Sequence, residues 1–278
     1  MKTVVLGLLA ETSIHPGSGR GVGVVDLPVA REAATDYPVL AGSSLKGALR
    51  DRAERSGESG EDVARRRFGK QDHAGDLLVS DGRLLLLPVR SLTGASQWVT
   101  CPQLLERYRR DLARAHQPHL SPPESGRVPA NDHAFASADG ELFLEERQFI
   151  VDGPPDPALV EALGRAVPHP PVRERLQSRL VIVSDDDFAW FARYGLPITA
   201  RNQLTDGTKQ SHNLWYEETL PPDTVMYALV TGRTDDALDT LAEIFPEPDR
   251  YLQVGGNETV GHGWFAVGFP AEEEVPVQ

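Results

Sequence analysis

The hydrophobic pattern opens on Val4 to Leu9, a short β-branched and leucine run that reads as a buried strand and yields to a polar loop at Glu11. Residues 11–42 then show neither a helical nor a strand period, and irregular excursions of that length usually serve a function or are ordered by a partner. Apolar spacing returns at Leu45, Ala48 and Leu49. This i, i+3, i+4 stripe predicts a helix that starts at Ser43 or Ser44, either of which can cap it. Gly57 to Gly60 ends that helix, and Glu61 to Arg67 predicts a second helical piece before Phe68-Gly69. Leu77 to Val79 and Arg83 to Val89 flank Ser80-Asp81-Gly82, a tight-turn signal, and predict a hairpin. A helix over Pro102 to Ala115, with Thr100 near its cap, presents Leu104, Leu105, Tyr108 and Leu112 on one face.

His116 to His133 is rich in Pro, Ser, Gly and His and reads as a mobile surface insertion. Leu142 to Val151 and Arg179 to Val183 predict strands, Asp156-Pro157 opens a short helix, and Asp185 to Tyr194 forms another, capped and acidic at its start. Ile198 to Leu204 and Lys209 to Glu217 flank Thr205-Asp206-Gly207-Thr208 and predict a long hairpin. Its arms hold few apolar residues, so it projects from the body. Strands at Thr224 to Val230, Tyr251 to Val254 and Trp264 to Phe269, with a helix over Thr234 to Phe245, complete the pattern. The order predicts an α+β fold, a ferredoxin-like (RRM-like) palm carrying large insertions. No repeat or linker divides residues 1–278, which are expected to form a single domain.

Composition adds limits. A hydrophobic content of 40% with 25% charged residues belongs to a folded chain, not a disordered one. The single cysteine, Cys101, excludes an internal disulfide framework or a cysteine zinc cluster and fits a reducing cytoplasm. The first ten residues look like a short signal segment, but Glu11 and the missing small-residue cleavage site favour a buried strand. No apolar run is long enough to span a bilayer, so no membrane role is expected. A net charge of −13 argues against a free-standing nucleic-acid binder. Yet Lys46, Arg50, Arg52, Arg55, Arg65, Arg66, Arg67 and Lys70 gather in one stretch, set against Asp51, Glu54, Glu58, Glu61 and Asp62. Much of the acid surplus lies in Asp185-Asp186-Asp187, Asp235-Asp236 and Glu272-Glu273-Glu274. A basic face on an acidic body suits a subunit that meets RNA inside an assembly.

The stretch from Glu11 to Asp51 holds most of the candidate chemistry. Gly17, Gly19, Gly21 and Gly23 stand at alternate positions, a spacing that lets backbone N–H groups turn toward a polyanion. The helix start at Ser43, Ser44 and Lys46 is a second anion-binding device, with Arg50 one turn on. Between them lies Asp26, preceded by two valines and followed by Leu27-Pro28, an odd setting for a solvated acid. Its plain alternative is a turn-capping aspartate. His15 is a candidate acid or base, against the simpler role of a loop histidine bonded to backbone. The glycine loop lacks the G-x-x-x-x-G-K-[ST] spacing of a nucleotide triphosphatase.

The segments Ile14-His15-Pro16-Gly17-Ser18-Gly19, Gly23-Val24-Val25-Asp26-Leu27-Pro28, Pro38 to Arg50 and Gly255 to Gly263 together resemble the CRISPR-associated RAMP superfamily. Val24 to Pro28, followed by Arg31-Glu32, and Leu214 to Glu218 look like the backbone subunit of its type III-B (Cmr) complexes. Ala41 stands where a proline is common, and His262-Gly263 where a basic residue is usual. The resemblance implies a palm, fingers and a thumb hairpin, with insertions at about 11–42 and 90–180 and the thumb at about 198–218. It implies copies of the chain stacked along a CRISPR guide RNA, with complementary target RNA and other type III-B subunits as partners. It implies endoribonuclease activity with Mg²⁺ or Mn²⁺ held weakly at Asp26, and His15, Glu217 and Glu218 nearby. Ser43, Ser44, Lys46, Arg50, Gly17, Gly19, Arg201, Lys209, Gly255 and Gly256 are the expected RNA contacts. The competing readings are a non-catalytic RNA scaffold and a phosphometabolite-binding enzyme.

Overall fold

The computed structural model describes residues 1–270 apart from 22, 58–59, 93, 124–127, 139 and 206. The acidic run at 272–274, Glu58, Asp206 of the hairpin turn and part of the 116–133 insertion therefore lie outside the described residues. In chain order the strands are β1 (Lys2–Ala10), β2 (Val39–Leu40), β3 (Leu77–Val79), β4 (Gly82–Arg90), β5 (Ser96–Thr100), β6 (His133–Ala136) and β7 (Glu141–Leu144). They continue with β8 (Arg147–Gly153), β9 (Leu180–Val183), β10 (Ile198–Leu204), β11 (Ser211–Glu218), β12 (Val225–Gly232), β13 (Tyr251–Gln253) and β14 (Trp264–Gly268). The helices are α1 (Gly42–Glu54), α2 (Gly60–Phe68), α3 (Pro102–Arg114), α4 (Pro157–Gly164), α5 (Pro170–Arg179), α6 (Asp185–Tyr194) and α7 (Asp239–Ile244).

Among the described residues, one twelve-stranded sheet runs β13-β14-β1-β12-β4-β5-β9-β6-β8-β7, with β2 added on β4 and β3 on β12. Most pairs are antiparallel; β5 with β9 and β6 with β8 are parallel. β1 is covered on both faces, which explains its unbroken apolar run in place of alternation. Leu6, Leu8 and Ala10 belong to one core with Leu45, Leu49 and Ala53 of α1. Val5 and Leu9 belong to the other, with Tyr108 and Leu112 of α3 and Leu159 and Leu163 of α4. Gly7 is bare because the backbone of Ala166 lies against it; a Cβ there would sit 2.2 Å from the Ala166 carbonyl oxygen. No described helix is long and apolar enough to cross a membrane.

Several expectations change. Neither Ser43 nor Ser44 caps α1: the cap residue is Ala41, and Asp81 Oδ1 takes the Gly42 N–H at 2.7 Å from the link between β3 and β4. That link does not close the expected hairpin, because β3 and β4 pair one after the other along β12 and not with each other. Thr100 stands next to the α3 cap, as expected; Cys101 is the cap residue, and Asp185 Oδ1 accepts from the Gln103 N–H. The expected strand at 142–151 is a hairpin, β7–β8, which turns at Glu145 with φ of 49°. β5 and α5 were not expected, and α7 is shorter than the predicted 234–245. Leu120 of the proline-rich insertion is buried in the second core, so that segment is partly packed. The long hairpin does stand apart: β10 and β11 form their own two-stranded sheet, and every β10 residue except Arg201 is exposed.

Candidate functional site

The 11–42 excursion folds back along the root of the β10–β11 hairpin. Leu27 forms a parallel bridge with Glu217, its N–H donating to Tyr216 O at 3.0 Å and its carbonyl accepting from Glu218 N at 3.0 Å. Asp26 thus lies beside Tyr216, whose N–H donates to Asp26 Oδ2 at 2.8 Å. The aspartate is exposed, as is Val24 at 92%, so the flanking valines do not carry it into a core. That corrects the enclosed setting its neighbours suggested. Part of the glycine loop is also turned inward: Gly21 N–H donates to Asp26 O at 2.8 Å and Ser18 N–H to Pro28 O at 3.3 Å. Gly17 and Gly19 remain exposed, and Gly19 has φ of 96°.

His15 is buried beneath this bridge. Its Nδ1 lies 2.8 Å from the Glu218 carbonyl oxygen, which can only accept, so Nδ1 carries the proton and Nε2 keeps a lone pair in the neutral ring. Two glycines make room for that ring. A Cβ at Gly17 would sit 2.9 Å from Nε2, and one at Gly256 would sit 3.3 Å from Cδ2. Gly256 N–H also donates to His15 O at 3.0 Å, and Gly255 has φ of 98° with no room for a Cβ beside that oxygen. Sequence reasoning assigned Gly17, Gly255 and Gly256 to RNA; the structure shows Gly17 and Gly256 beside the histidine ring and Gly255 against its backbone.

The two glutamates point to opposite sides of β11, as successive strand residues must. Glu217 is 1% exposed and is held from three directions. Asn257 Nδ2 donates to its Oε1, Arg201 Nε lies 3.3 Å from its Oε2, and His15 Nδ1 lies 3.8 Å from its Oε1. Arg201 is its diagonal neighbour across the hairpin and also approaches His262 Nε2 at 3.5 Å. Glu218 instead clamps the excursion: Oε2 accepts from Val29 N–H at 3.0 Å and Oε1 from Arg31 Nη2 at 2.7 Å. Arg31 donates further to the carbonyls of Asp36 and Ala192. Asn257 and Arg31 were missed as site residues, because both meet their glutamates only through the fold.

Asp26, His15, Glu217, Glu218, Arg201 and the 255–257 loop therefore form one connected cluster at the hairpin root. The second group of predicted residues lies elsewhere. Lys46 and Arg50 line a cleft of about 350 Å³ whose walls include none of that cluster. Ser43 and Ser44 are exposed in the first turn of α1, and Lys209 is exposed in the hairpin turn with φ of 56°. Among the described residues, no three His, Cys, Asp or Glu side chains converge as a ready-made metal site. Within the hairpin-root cluster, where Glu217 and Glu218 are buried, Asp26 offers an exposed carboxylate of the hard-oxygen type that Mg²⁺ accepts together with substrate phosphates and water.

Residues 8–266 match the RAMP superfamily. The chain is similar to the CRISPR system Cmr endoribonuclease Cmr4 of Pyrococcus furiosus, with 35% identity over 286 aligned residues covering 96% of this chain and 95% of that protein. Its structure is similar to the crystal structure of oligomeric Cmr4 from Pyrococcus furiosus, with a TM-score of 0.75 at 29% identity, covering 96% of this chain and 97% of that one. A chain in the cryo-EM structure of the type III-B Cmr-beta complex bound to cognate target RNA gives a TM-score of 0.78 at 19% identity, covering 97% and 98%, a likeness of fold alone.

Proposed function

The chain belongs to the RAMP superfamily, and on that footing we propose that it is the backbone subunit of a type III-B CRISPR effector complex that cleaves complementary target RNA at Asp26. Copies of the chain stack along a CRISPR guide RNA in the cytoplasm, together with other subunits of the complex. The endoribonuclease name of the 35%-identical relative and the oligomeric crystal form of a 29%-identical one support this reading. The strand order β14-β1-β12-β4, with α1 and α7 as the crossover helices, supports a ferredoxin-like palm. Residues 11–42 and 90–180 supply the fingers, and β10–β11 is the thumb.

The observation that carries the activity is the exposed Asp26 carboxylate, fixed to the thumb by the Tyr216 N–H and connected through the thumb root to His15. The target's 2′-hydroxyl oxygen attacks the adjacent phosphorus while the bond to the next 5′-oxygen breaks and that oxygen takes a proton from solvent water, leaving a 2′,3′-cyclic phosphate and a 5′-hydroxyl. His15 Nε2 is the free lone pair that takes the hydroxyl proton; such a base is worth about 10²–10⁴ in rate. Asp26 is the residue that would hold a Mg²⁺ or Mn²⁺ ion in the presence of RNA, and such an ion would supply charge neutralisation at the phosphate. Glu217 and Glu218 position the cluster, Glu217 through Asn257 and Arg201, Glu218 through Arg31 and Val29. Cleavage by the assembled complex is expected to stop with EDTA, to resume with Mg²⁺ or Mn²⁺, and to leave 5′-hydroxyl ends that accept label directly from polynucleotide kinase. Ends carrying a 5′-phosphate would rule out attack by the 2′-hydroxyl.

A further inference from the structure

Asn257 takes a left-handed backbone, with φ of 65° and ψ of 29°, directly after Gly255 and Gly256. Asparagine tolerates that region better than most residues, yet glycine adopts it with less strain. The loop does not owe its shape to the side chain. Asn257 O accepts from the N–H groups of Val260 at 3.1 Å and His262 at 3.2 Å, and Gly256 N–H is held by His15 O. The side chain leaves the loop instead, and its Nδ2 donates to Glu217 Oε1. A residue kept at a glycine-favouring position for one side-chain bond points to a use for that bond.

Glu217 Oε1 is also the carboxylate oxygen that faces the His15 ring, 3.8 Å from Nδ1. That separation is too long for a hydrogen bond, and the Nδ1 proton already goes to the Glu218 carbonyl at 2.8 Å. Glu218 therefore fixes the tautomer, and Glu217 acts on the ring by charge. Glu217 is 1% exposed and His15 8%, so water screens the pair little. When Nε2 takes the 2′-hydroxyl proton, the ring becomes an imidazolium whose charge this carboxylate offsets; the proton then passes to solvent water. On the far side of the carboxylate, Arg201 Nε lies 3.3 Å from Oε2, and His262 Nε2 lies 3.5 Å from Arg201 Nη2. Asn257 and Arg201 thus take one oxygen each. Without the Asn257 amide, Arg201 is free to draw the carboxylate away from the histidine.

We propose that Glu217 is the counter-ion of the protonated His15, and that Asn257 is a positioning residue that holds its Oε1 on the side of the ring. The inference rests on the reading of His15 as the base and deepens it. The test is single-turnover cleavage of a matched target RNA by the assembled complex in Mg²⁺, for wild type, Asn257→Gly, Glu217→Gln, His15→Asn and His15→Asn/Asn257→Gly. Glycine suits the left-handed backbone, so Asn257→Gly is expected to melt no lower than wild type. Its maximal rate is expected to fall roughly tenfold at an unchanged half-saturating target concentration, with no further loss in the His15→Asn background. Glu217→Gln, which keeps the shape and removes the charge, is expected to slow cleavage at least as much. A wild-type rate in Asn257→Gly or Glu217→Gln, with His15→Asn slow, would overturn the proposal and leave the functional reading standing. So would a loss that multiplies fully with that of His15→Asn, or one carried by half-saturation instead of rate, which would make Asn257 an RNA contact. A wild-type rate in His15→Asn would defeat the base assignment and the proposal together.

Discussion

Glu218 was a candidate catalytic acid in the sequence, and its environment gives it a different duty that can be measured. Its carboxylate is the meeting point of Val29 N–H and Arg31 Nη2, and both side chains of the ion pair are largely buried, 8% exposed for Glu218 and 16% for Arg31. Glu218→Ala would leave a guanidinium and a backbone N–H facing a void. Removing one partner of such a pair costs about 3–5 kcal/mol. Arg31 keeps its bonds to the Asp36 and Ala192 carbonyls, so the lower end, about 3 kcal/mol, is the expectation. For a chain of this size that corresponds to a fall in melting temperature of roughly 6–12 °C, read by calorimetry or circular dichroism. Glu218→Gln keeps one acceptor and is expected to lose about 1–2 kcal/mol while still cleaving RNA per folded molecule. A Glu218→Ala variant that melts within ~2 °C of wild type would refute the clamp. So would a Glu218→Gln variant that folds normally but is inert.

His15→Asn keeps a donor for the Glu218 carbonyl and deletes Nε2, so RNA affinity should hold while single-turnover cleavage falls by about 10²–10⁴; a rate near wild type would remove His15 from the chemistry. Gly255→Ala places a Cβ 2.7 Å from His15 O on a backbone with φ of 98°, and should lower stability by at least ~1–2 kcal/mol in a urea titration. Leu49→Ala, at a fully buried position on α1, should cost about 2–5 kcal/mol in the same titration. Cys101 is completely buried and desolvation pushes its thiol well up from the ordinary range, so a thiol reagent should label it only after denaturant is added.

What was legible in the chain was local. The β1 run and the Leu45–Leu49 stripe each declare an element within a few residues, and those elements are present, whereas the Asp81-Gly82 signal misleads: β3 and β4 both pair with β12 and not with each other. The α1 cap was misread because its partner, Asp81, arrives from 39 residues away, whereas a local rule favours the adjacent serines. The β7–β8 turn was missed because Glu145 and Glu146 give no glycine or asparagine signal, and α5 because it starts on Pro170-Pro171 with only Val172 and Leu176 buried. At the site, His15, Asp26, Glu217 and Glu218 could be singled out in the sequence. Their wiring could not: Glu218 meets Arg31 across 187 residues and Glu217 meets Asn257 across 40. The exposure of Asp26 follows from the course of the excursion along β11, which no spacing of valines encodes.

The most direct test of the account replaces the carboxylate at the thumb root with its neutral isostere. Asp26→Asn retains an acceptor for the Tyr216 N–H, so the fold and RNA affinity should be preserved. In assembled complexes loaded with guide and complementary target RNA, cleavage should disappear at every site while target binding matches wild type. Cutting that continues at the wild-type rate in Mg²⁺ would contradict the central claim.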